Sequence, residues 1–214
     1  MDLIILVNQV INLKITIIMK IKLLILITIF LISSNMNAQN NKADLPYYEI
    51  PDYPEKYNQG TVVARMIDGL GFRYYWATEG LRAEDLIFKP NEDARTTEET
   101  IDHILGLSNV LVNSTINKTN ENADYAGLTF DQKRKMTLEN FKKAADILRQ
   151  SDDLSQFKII FKGENGTREF PFWNQINGPI EDAIWHCGQV VSFRRSSGNP
   201  YNSKASVFSG KVRK

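Results

Sequence analysis

The sequence has 214 residues, of which 43% are apolar and 24% are charged, and both fractions are close to those of ordinary folded soluble proteins. Its 26 basic and 25 acidic residues give a formal net charge of +1. This balance provides no basic stripe for a nucleic acid and no polybasic patch for anionic lipid, so neither is an expected partner. The single cysteine, Cys187, excludes an internal disulfide, and the fold must be stabilised by its own apolar core.

Residues 1–38 have the composition of an export signal. Two lysines precede a mostly apolar run, Leu23–Ile32, which small polar residues follow. This order predicts a secretory signal peptide cleaved after Ala38, with Met19 as an alternative translation start. The run of about ten residues is shorter than the ~20 that cross a bilayer as a helix, although the apolar residues upstream could lengthen it into a retained anchor. We expect an exported protein, periplasmic or secreted, without stable membrane insertion after cleavage.

The next segment, residues 39–57, contains asparagines, tyrosines and three prolines without helical or strand periodicity. Such a composition predicts an extended N-terminal arm along the surface of the domain. From Thr61 the pattern changes, because apolar residues recur at three- and four-residue spacing to about Leu81. This periodicity predicts the first helix.

Two capping boxes indicate where the next two helices begin. Thr96 with Glu99, and Thr129 with Gln132, each place an acceptor side chain three residues before Glu or Gln. In a capping box the two residues satisfy backbone donors at the start of a helix. We therefore expect the second helix to begin after Thr96, and the third to begin after Thr129 and to end near Gln150.

The segments after the third helix predict a hairpin and a last long helix. Phe157–Lys162 and Thr167–Phe170 are rich in β-forming residues and flank Glu164-Asn165-Gly166, which is typical of a tight hairpin. The last helix is predicted from Trp173 to Ser197. Gly178-Pro179 lies within it, and because proline lacks a backbone donor we expect a kink or a new helix start there.

Together these elements predict an all-α fold. The expected architecture is a four-helix bundle over residues 58–200, with a small β-hairpin between helices three and four. Residues 201–214 follow as a basic C-terminal tail.

Both histidines of the chain fall on predicted helices, at the edge of an apolar face. On the last helix, Asp182 and His186 stand one turn apart on one side, and Gln189 follows one turn further on. His103 has a comparable position on the second helix, so the two helices could meet along these residues. Two imidazoles and one carboxylate leave coordination positions open on a metal ion, which is typical of a catalytic or substrate-binding site.

The same spacing also has a purely structural interpretation. His186 could be a histidine at the margin of the core that is hydrogen-bonded to Asp182, and His103 a solvated helix residue. Spacing alone does not choose between the two.

The catalytic groups stay open at this level. Water on the ion is one candidate, and Gln189, one turn from His186, could orient a ligand or hydrogen-bond that water. Glu181 and Glu79 are candidate general bases, and neither is tied to the site by spacing. Cys187 points into the apolar arc of its helix and is predicted to be a small buried hydrophobe. A further set of residues could line a pocket beside the ion, although aromatic residues at helical spacing usually belong to the core. These aromatic residues are Phe172, Trp173 and Trp185.

Two segments resemble the DinB/YfiT-like family of metal-dependent proteins: TTEETIDHILGLSNVLVNS, residues 96–114, and WNQINGPIEDAIWHCGQVVSFRRSSGNP, residues 173–200. The resemblance extends over roughly residues 58–200. It implies a four-helix bundle in which a histidine on the second helix and a His-x-x-x-His pair on the last bind a divalent ion, commonly zinc or nickel. His103 and His186 match the first and third of these ligands, and Asp182 stands where the family usually has the middle histidine.

A carboxylate at that position lowers the net charge of the site and shifts its metal preference toward zinc, iron(II) or manganese. Zinc is the expected ion, with nickel, iron and manganese as alternatives. The resemblance further implies an enzyme that acts on a small molecule through activated water or a thiol, as a hydrolase or a thiol transferase, and that pairs as a homodimer. The alternative is a non-catalytic helical bundle that binds a metal or a partner.

Overall fold

The computed structural model describes residues 19–22, 45–164 and 166–214. The chain divides into two compact units, residues 1–44 and 45–214, and in the first of them Met19–Lys22 are helical. The rest of the predicted signal peptide, with its cleavage point after Ala38, lies outside the described residues. Within the described ranges, none of the helices combines the length and the apolar character needed to cross a bilayer.

The second unit is mostly helical and carries a small sheet. Among the described residues, four helices are long: α1 (Gln59–Thr78), α2 (Thr97–Ser114), α3 (Phe130–Arg149) and α4 (Glu181–Ser196). Helices α1 and α2 each pack against both α3 and α4. The four helices enclose one apolar core, whose fully buried members include Ile67, Leu70, Tyr74, Ile101, Ile104, Leu138, Phe141, Leu148, Ala183 and Val190. The prediction of a mostly helical fold is therefore confirmed.

Both predicted capping boxes are formed. The backbone N–H of Glu99 donates to Oγ1 of Thr96 over 3.1 Å, and the N–H of Thr96 donates to Oε2 of Glu99 over 2.7 Å. Thr129 and Gln132 make the same reciprocal pair at the start of α3. These contacts confirm the predicted beginnings of the second and third helices.

The first helix begins two residues before its predicted start and ends at Thr78 rather than near Leu81. Asn58 is its N-cap, and the side-chain oxygen of Asn58 accepts from the N–H of Thr61 over 2.8 Å. The hydroxyl of Thr61 accepts in return from the N–H of Asn58. The helix starts earlier because Asn58, a cap without an apolar side chain, extends it beyond the periodic apolar residues.

Shorter helical turns connect these elements. They are Ala83–Leu86, the 3₁₀ turn Leu154–Gln156, Trp173–Gln175 and the π-helical turn Ile176–Ile180. The last two precede α4, and Gly178 within the π-helical turn has φ −99° and ψ −108°, which is not helical. The predicted interruption at Gly178-Pro179 is thus confirmed, and α4 itself begins only at Glu181.

The larger sheet has three strands: β1 (Thr119–Asn120), β2 (Lys158–Gly163) and β3 (Gly166–Pro171). The antiparallel pairing of β2 with β3 confirms the predicted hairpin. Strand β1 runs parallel to β2, which the sequence did not indicate. Its Asn120 bridges two elements, because its amide nitrogen donates to the carbonyl of Ile160 and its amide oxygen accepts from Asn113 of α2.

Residues 201–214, predicted to be a tail, contain a second hairpin made of β4 (Ala205–Ser206) and β5 (Lys211–Val212). This hairpin is hydrogen-bonded to the N-terminal arm. The N–H of Ile50 donates to the carbonyl of Gly210 over 2.9 Å, and Glu49 accepts from the N–H of Val212.

Candidate metal centre

The seam between α2 and α4 positions the three candidate ligands. The side-chain amide of Gln175 donates to the carbonyl of Val110 over 3.0 Å, near the end of α2. Seven residues after Gln175, at the start of α4, the side chain of Asp182 contacts His103, which lies two turns before Val110 on α2. The two helices therefore run antiparallel, and the kink before Glu181 lets α4 start next to His103.

The carboxylate of Asp182 lies between the two imidazoles. Its Oδ2 is 3.1 Å from Nε2 of His103, and its Oδ1 is 3.2 Å from Nε2 of His186. The two rings are nearly perpendicular, at 88°, with centroids 4.6 Å apart. One ligand atom from each residue lies within 4.8 Å of the others, so the three residues form a group that could hold a metal ion.

The cluster is closed toward the core and open toward solvent. The side chain of His186 is 13% exposed, whereas those of His103 and Asp182 are 33% and 38% exposed. His186 is thus the inner ligand, and the outer two face water. Open positions on a bound ion would lie on this outer side, where a small molecule can approach.

Gln189 is the hydrogen-bond partner of Nδ1 of His186. The amide oxygen of Gln189 lies 2.7 Å from Nδ1, and an amide oxygen only accepts, so this contact suits the tautomer with its hydrogen on Nδ1. In a neutral ring the lone pair then lies on Nε2, the atom that faces Asp182. This is the tautomer that metal-binding histidines adopt when the other nitrogen is held by a hydrogen bond.

In that tautomer Nε2 of His186 and Oδ1 of Asp182 both present lone pairs to each other, and the two atoms are 3.2 Å apart. Two acceptors at that distance repel each other unless a cation lies between them or beside them. Either a second proton on His186 or a metal ion satisfies this requirement. For metal bonds of about 2.0–2.2 Å, tetrahedral ligand atoms stand ~3.4 Å apart. The histidine contacts of Asp182 are 3.1 and 3.2 Å long and run to different carboxylate oxygens, and one ligand atom from each residue lies within 4.8 Å of the others.

The other candidate residues have different surroundings. Glu181 is exposed, and no hydrogen bond or ion pair joins it to the three ligands within the described chain. The carboxylate of Glu79 lies 2.8 Å from the guanidinium of Arg134. Cys187 is buried as predicted, and burial raises the pKa of its thiol to about 12, so it stays protonated at neutral pH.

The aromatic candidates do not form a single wall beside the site. Phe172 is buried, whereas Trp173 and Trp185 are 75% and 69% exposed. Phe172 and Trp173 instead line an apolar cavity of about 680 Å³ between the start of α1 and the turns that precede α4. None of the three metal-ligand candidates lines that cavity.

Sequence reasoning missed one charged cluster next to the centre. Lys133 of α3 is buried, and its ammonium lies 3.0 Å from Glu98 and 2.8 Å from Asp102. Asp102 precedes His103 and faces α3, while His103 faces α4. The acidic residues at i and i+4 on α2 were a signal for such a pair, but their basic partner comes from a distant part of the sequence.

Fold and site together define a mostly helical protein with a candidate metal centre of two histidines and one carboxylate between two helices. Comparison with known family models, with curated proteins and with solved structures finds no match. The chemistry of the centre is therefore inferred from its own atoms.

Proposed function

We propose that this chain is a divalent-metal-dependent enzyme of the DinB/YfiT-like type, a four-helix bundle that holds one ion through His103, Asp182 and His186. Zinc is the preferred ion, with nickel, iron or manganese as alternatives. One arrangement carries the proposal. Nε2 of His186 faces Oδ1 of Asp182 at 3.2 Å, while Nδ1 of the same ring is hydrogen-bonded to Gln189.

The donor set suits a catalytic ion better than a structural one. Closed structural zinc sites use four protein ligands, whereas three ligands leave positions for water and substrate. A divalent ion here lowers the pKa of the water that it binds and polarises a bound electrophile. The chain's own thiol, Cys187, is buried and protonated, so the nucleophile is water or a thiol brought in from solution.

The residues of the centre divide the remaining work. Asp182 directs one carboxylate oxygen toward His103 and the other toward His186, so a bound ion would have a carboxylate oxygen beside each imidazole. Gln189 orients His186 through its amide oxygen, and within the described chain its amide nitrogen has no hydrogen-bond acceptor. That nitrogen is free to donate to a carbonyl or hydroxyl of a small substrate that approaches from the exposed side of His103 and Asp182.

Turnover tests the catalytic part of this proposal. The purified protein without a histidine tag is stripped with a chelator, reloaded in turn with zinc, nickel, iron(II) or manganese, and assayed on panels of esters, amides and electrophile–thiol pairs. We expect turnover that returns with one ion and disappears in His186→Ala. The matched control is Glu139→Ala, which removes an exposed carboxylate of α3 and should keep the activity. Protein that binds metal but shows no turnover on any panel would contradict the proposal that it is an enzyme.

A second candidate function has an observation in its favour. A proton on each Nε2 would also satisfy Asp182, and the cluster would then be a hydrogen-bonded contact between α2 and α4. In that case the protein is a non-catalytic bundle that binds a partner, and it would retain its fold without any ion. Two further expectations belong to the first proposal and can be tested separately. Residues 1–38 imply export, and the family resemblance implies pairing as a homodimer.

A further inference from the structure

An aromatic pair continues the line of the candidate ligands along α4. Phe193 lies seven residues after His186, which places it about 10 Å further along the helix and within about 20° of the same direction. Its ring packs on that of Phe88, with centroids 5.9 Å apart and an angle of 53° between the rings. Both side chains are half-buried, so part of each ring remains at the surface.

Phe88 is held at this position by α2. The carbonyl of Phe88 accepts from the backbone N–H of Thr97, the first residue of α2, over 2.9 Å. The N–H of Phe88 donates in turn to the carbonyl of Asp85. Phe88 is therefore hydrogen-bonded to the first residue of α2, and Phe193 belongs to α4, so the aromatic pair joins the segment before α2 to α4.

Along the contact between α2 and α4, the candidate metal ligands are followed by an amide and then by two apolar rings. The imidazoles and the carboxylate come first, Gln189 follows one turn after His186, and the two phenyl rings follow one turn after Gln189. Small-molecule sites combine a few placed polar groups with an aromatic or aliphatic wall in this way. Phenyl rings bind flat aromatic groups through stacked or edge-to-face contacts.

We propose that Phe88 and Phe193 form the apolar subsite of the metal centre. The substrate class is a molecule with a metal-binding carbonyl or a comparable oxygen at one end and an aromatic group about 10 Å away at the other. The proposal rests on the proposed function, because the subsite is defined by its distance from the ion.

Hydroxamic acids are suitable probes, because the hydroxamate group chelates zinc and the attached chain can be varied. Acetohydroxamic acid has only the metal-binding head. Phenylacetohydroxamic acid carries a ring too close to the head to reach Phe193, and phenylhexanohydroxamic acid carries it at about 10 Å. Hexanohydroxamic acid has the chain without the ring. Binding of each to the zinc-loaded full chain is measured by isothermal titration calorimetry.

We expect phenylhexanohydroxamic acid to bind about tenfold more tightly than either the short aryl probe or the alkyl probe. Phe193→Ala and Phe88→Ala should remove this preference and leave the affinity for acetohydroxamic acid and the zinc content unchanged. Phe161→Ala is the matched control, because Phe161 forms a similar ring pair with Phe170 on the hairpin, at 6.1 Å, away from the metal centre. If an alanine variant fails to fold, Phe193→Leu keeps apolar volume and should lose the preference for the aryl over the alkyl probe.

Two different results would overturn the proposed subsite, and they show whether the metal centre is lost with it. Equal affinities of the long aryl, short aryl and alkyl probes in zinc-loaded wild type, or a preference that survives in both Phe variants, would show that the rings take no part while the metal centre stands. Failure of the chain to retain zinc, with no binding of acetohydroxamic acid, would remove the metal centre and the subsite together.

Discussion

The amide oxygen of Gln189 lies 2.7 Å from Nδ1 of His186, and in the tautomer that this contact suits the lone pair on Nε2 faces Asp182. The geometry is the arrangement in which an outer hydrogen bond selects the tautomer of a metal-binding histidine. A histidine with only a structural role would gain more from donating its Nε2 proton directly to the carboxylate. With its hydrogen on Nδ1, His186 presents Nε2 to Asp182 as an acceptor that either a metal ion or a second proton can satisfy.

Removal of this contact should weaken metal binding. In Gln189→Ala, His186 is free to rotate and to place its proton on Nε2, so we expect the dissociation constant for zinc to rise about tenfold or more. Gln189→Glu keeps an acceptor at the same position and should bind zinc at least as tightly as wild type. Competition with a chromophoric chelator measures both. An alanine variant with wild-type affinity would show that Gln189 does not orient the ligand.

Asp85 should contribute to stability in a pH-dependent way. Its side chain is fully buried and accepts hydrogen bonds from Arg82, Ser197 and Asn199, which joins the short helix Ala83–Leu86 to the residues that follow α4. Hydrogen bonds from Arg82, with those from the other two residues, hold the pKa of this carboxyl well below its ordinary value of 3.8. A lowered pKa in the folded state means that the contribution is complete above about pH 4 and is lost as the pH falls below it.

We therefore expect Asp85→Asn to lower the free energy of unfolding at pH 7 by about 2–4 kcal/mol, because it removes the charge of a buried carboxylate that accepts hydrogen bonds from Arg82, Ser197 and Asn199. Urea unfolding at pH 7 and at pH 3 should show that the difference from wild type shrinks at the lower pH. Glu84→Gln, at the exposed neighbouring carboxylate, should change stability by less than about 0.5 kcal/mol at either pH. An undiminished difference at pH 3 would contradict a role for the ionised carboxylate.

The close approach of α1 to the end of α3 depends on Gly60. A Cβ at this position would lie 2.1 Å from the backbone carbonyl oxygens of Leu148 and Ser151, and neither can move without shifting α3. Gly60→Ala should destabilise the protein by about 2–4 kcal/mol. Gly188 lies in α4, and a methyl group added there would meet no atom of another element within 4 Å, so Gly188→Ala should stabilise the protein by about 0.5–1 kcal/mol.

Thermal unfolding of the two glycine variants beside wild type measures these opposite shifts. A lower midpoint for Gly60→Ala and a higher one for Gly188→Ala are expected. Similar effects of the two substitutions would mean that helix propensity, rather than the contact between α1 and α3, decides the stability of the first turn.

The features that local sequence chemistry determines could be predicted. Thr96 with Glu99 marks a helix start through atoms three residues apart, and Gly178-Pro179 interrupts a helix through its own backbone. The stripe of Asp182, His186 and Gln189 follows from helical periodicity in the same way. In each case the interacting atoms are close in the sequence.

The features that were missed depend on partners from distant segments. Strand β1 pairs with residues about forty positions away, at Ile160, and its two residues are too few to form a strand pattern of their own. Lys133 is buried only because Glu98 and Asp102 meet it from α2. Phe88 lies outside every periodic stripe, and its place beside Phe193 requires the antiparallel packing of α2 and α4. Periodicity does not report contacts of this kind.

Metal content measured by elemental mass spectrometry tests the central claim most directly. The protein is purified without a histidine tag, as wild type and as His103→Ala, Asp182→Ala and His186→Ala, with Glu181→Ala as the neighbouring carboxylate control. We predict about one zinc, nickel, iron or manganese ion per chain in wild type and in the control, and its loss in all three ligand variants. Wild type that carries little metal, takes up none when ions are added and does not differ from the three variants would contradict the metal centre.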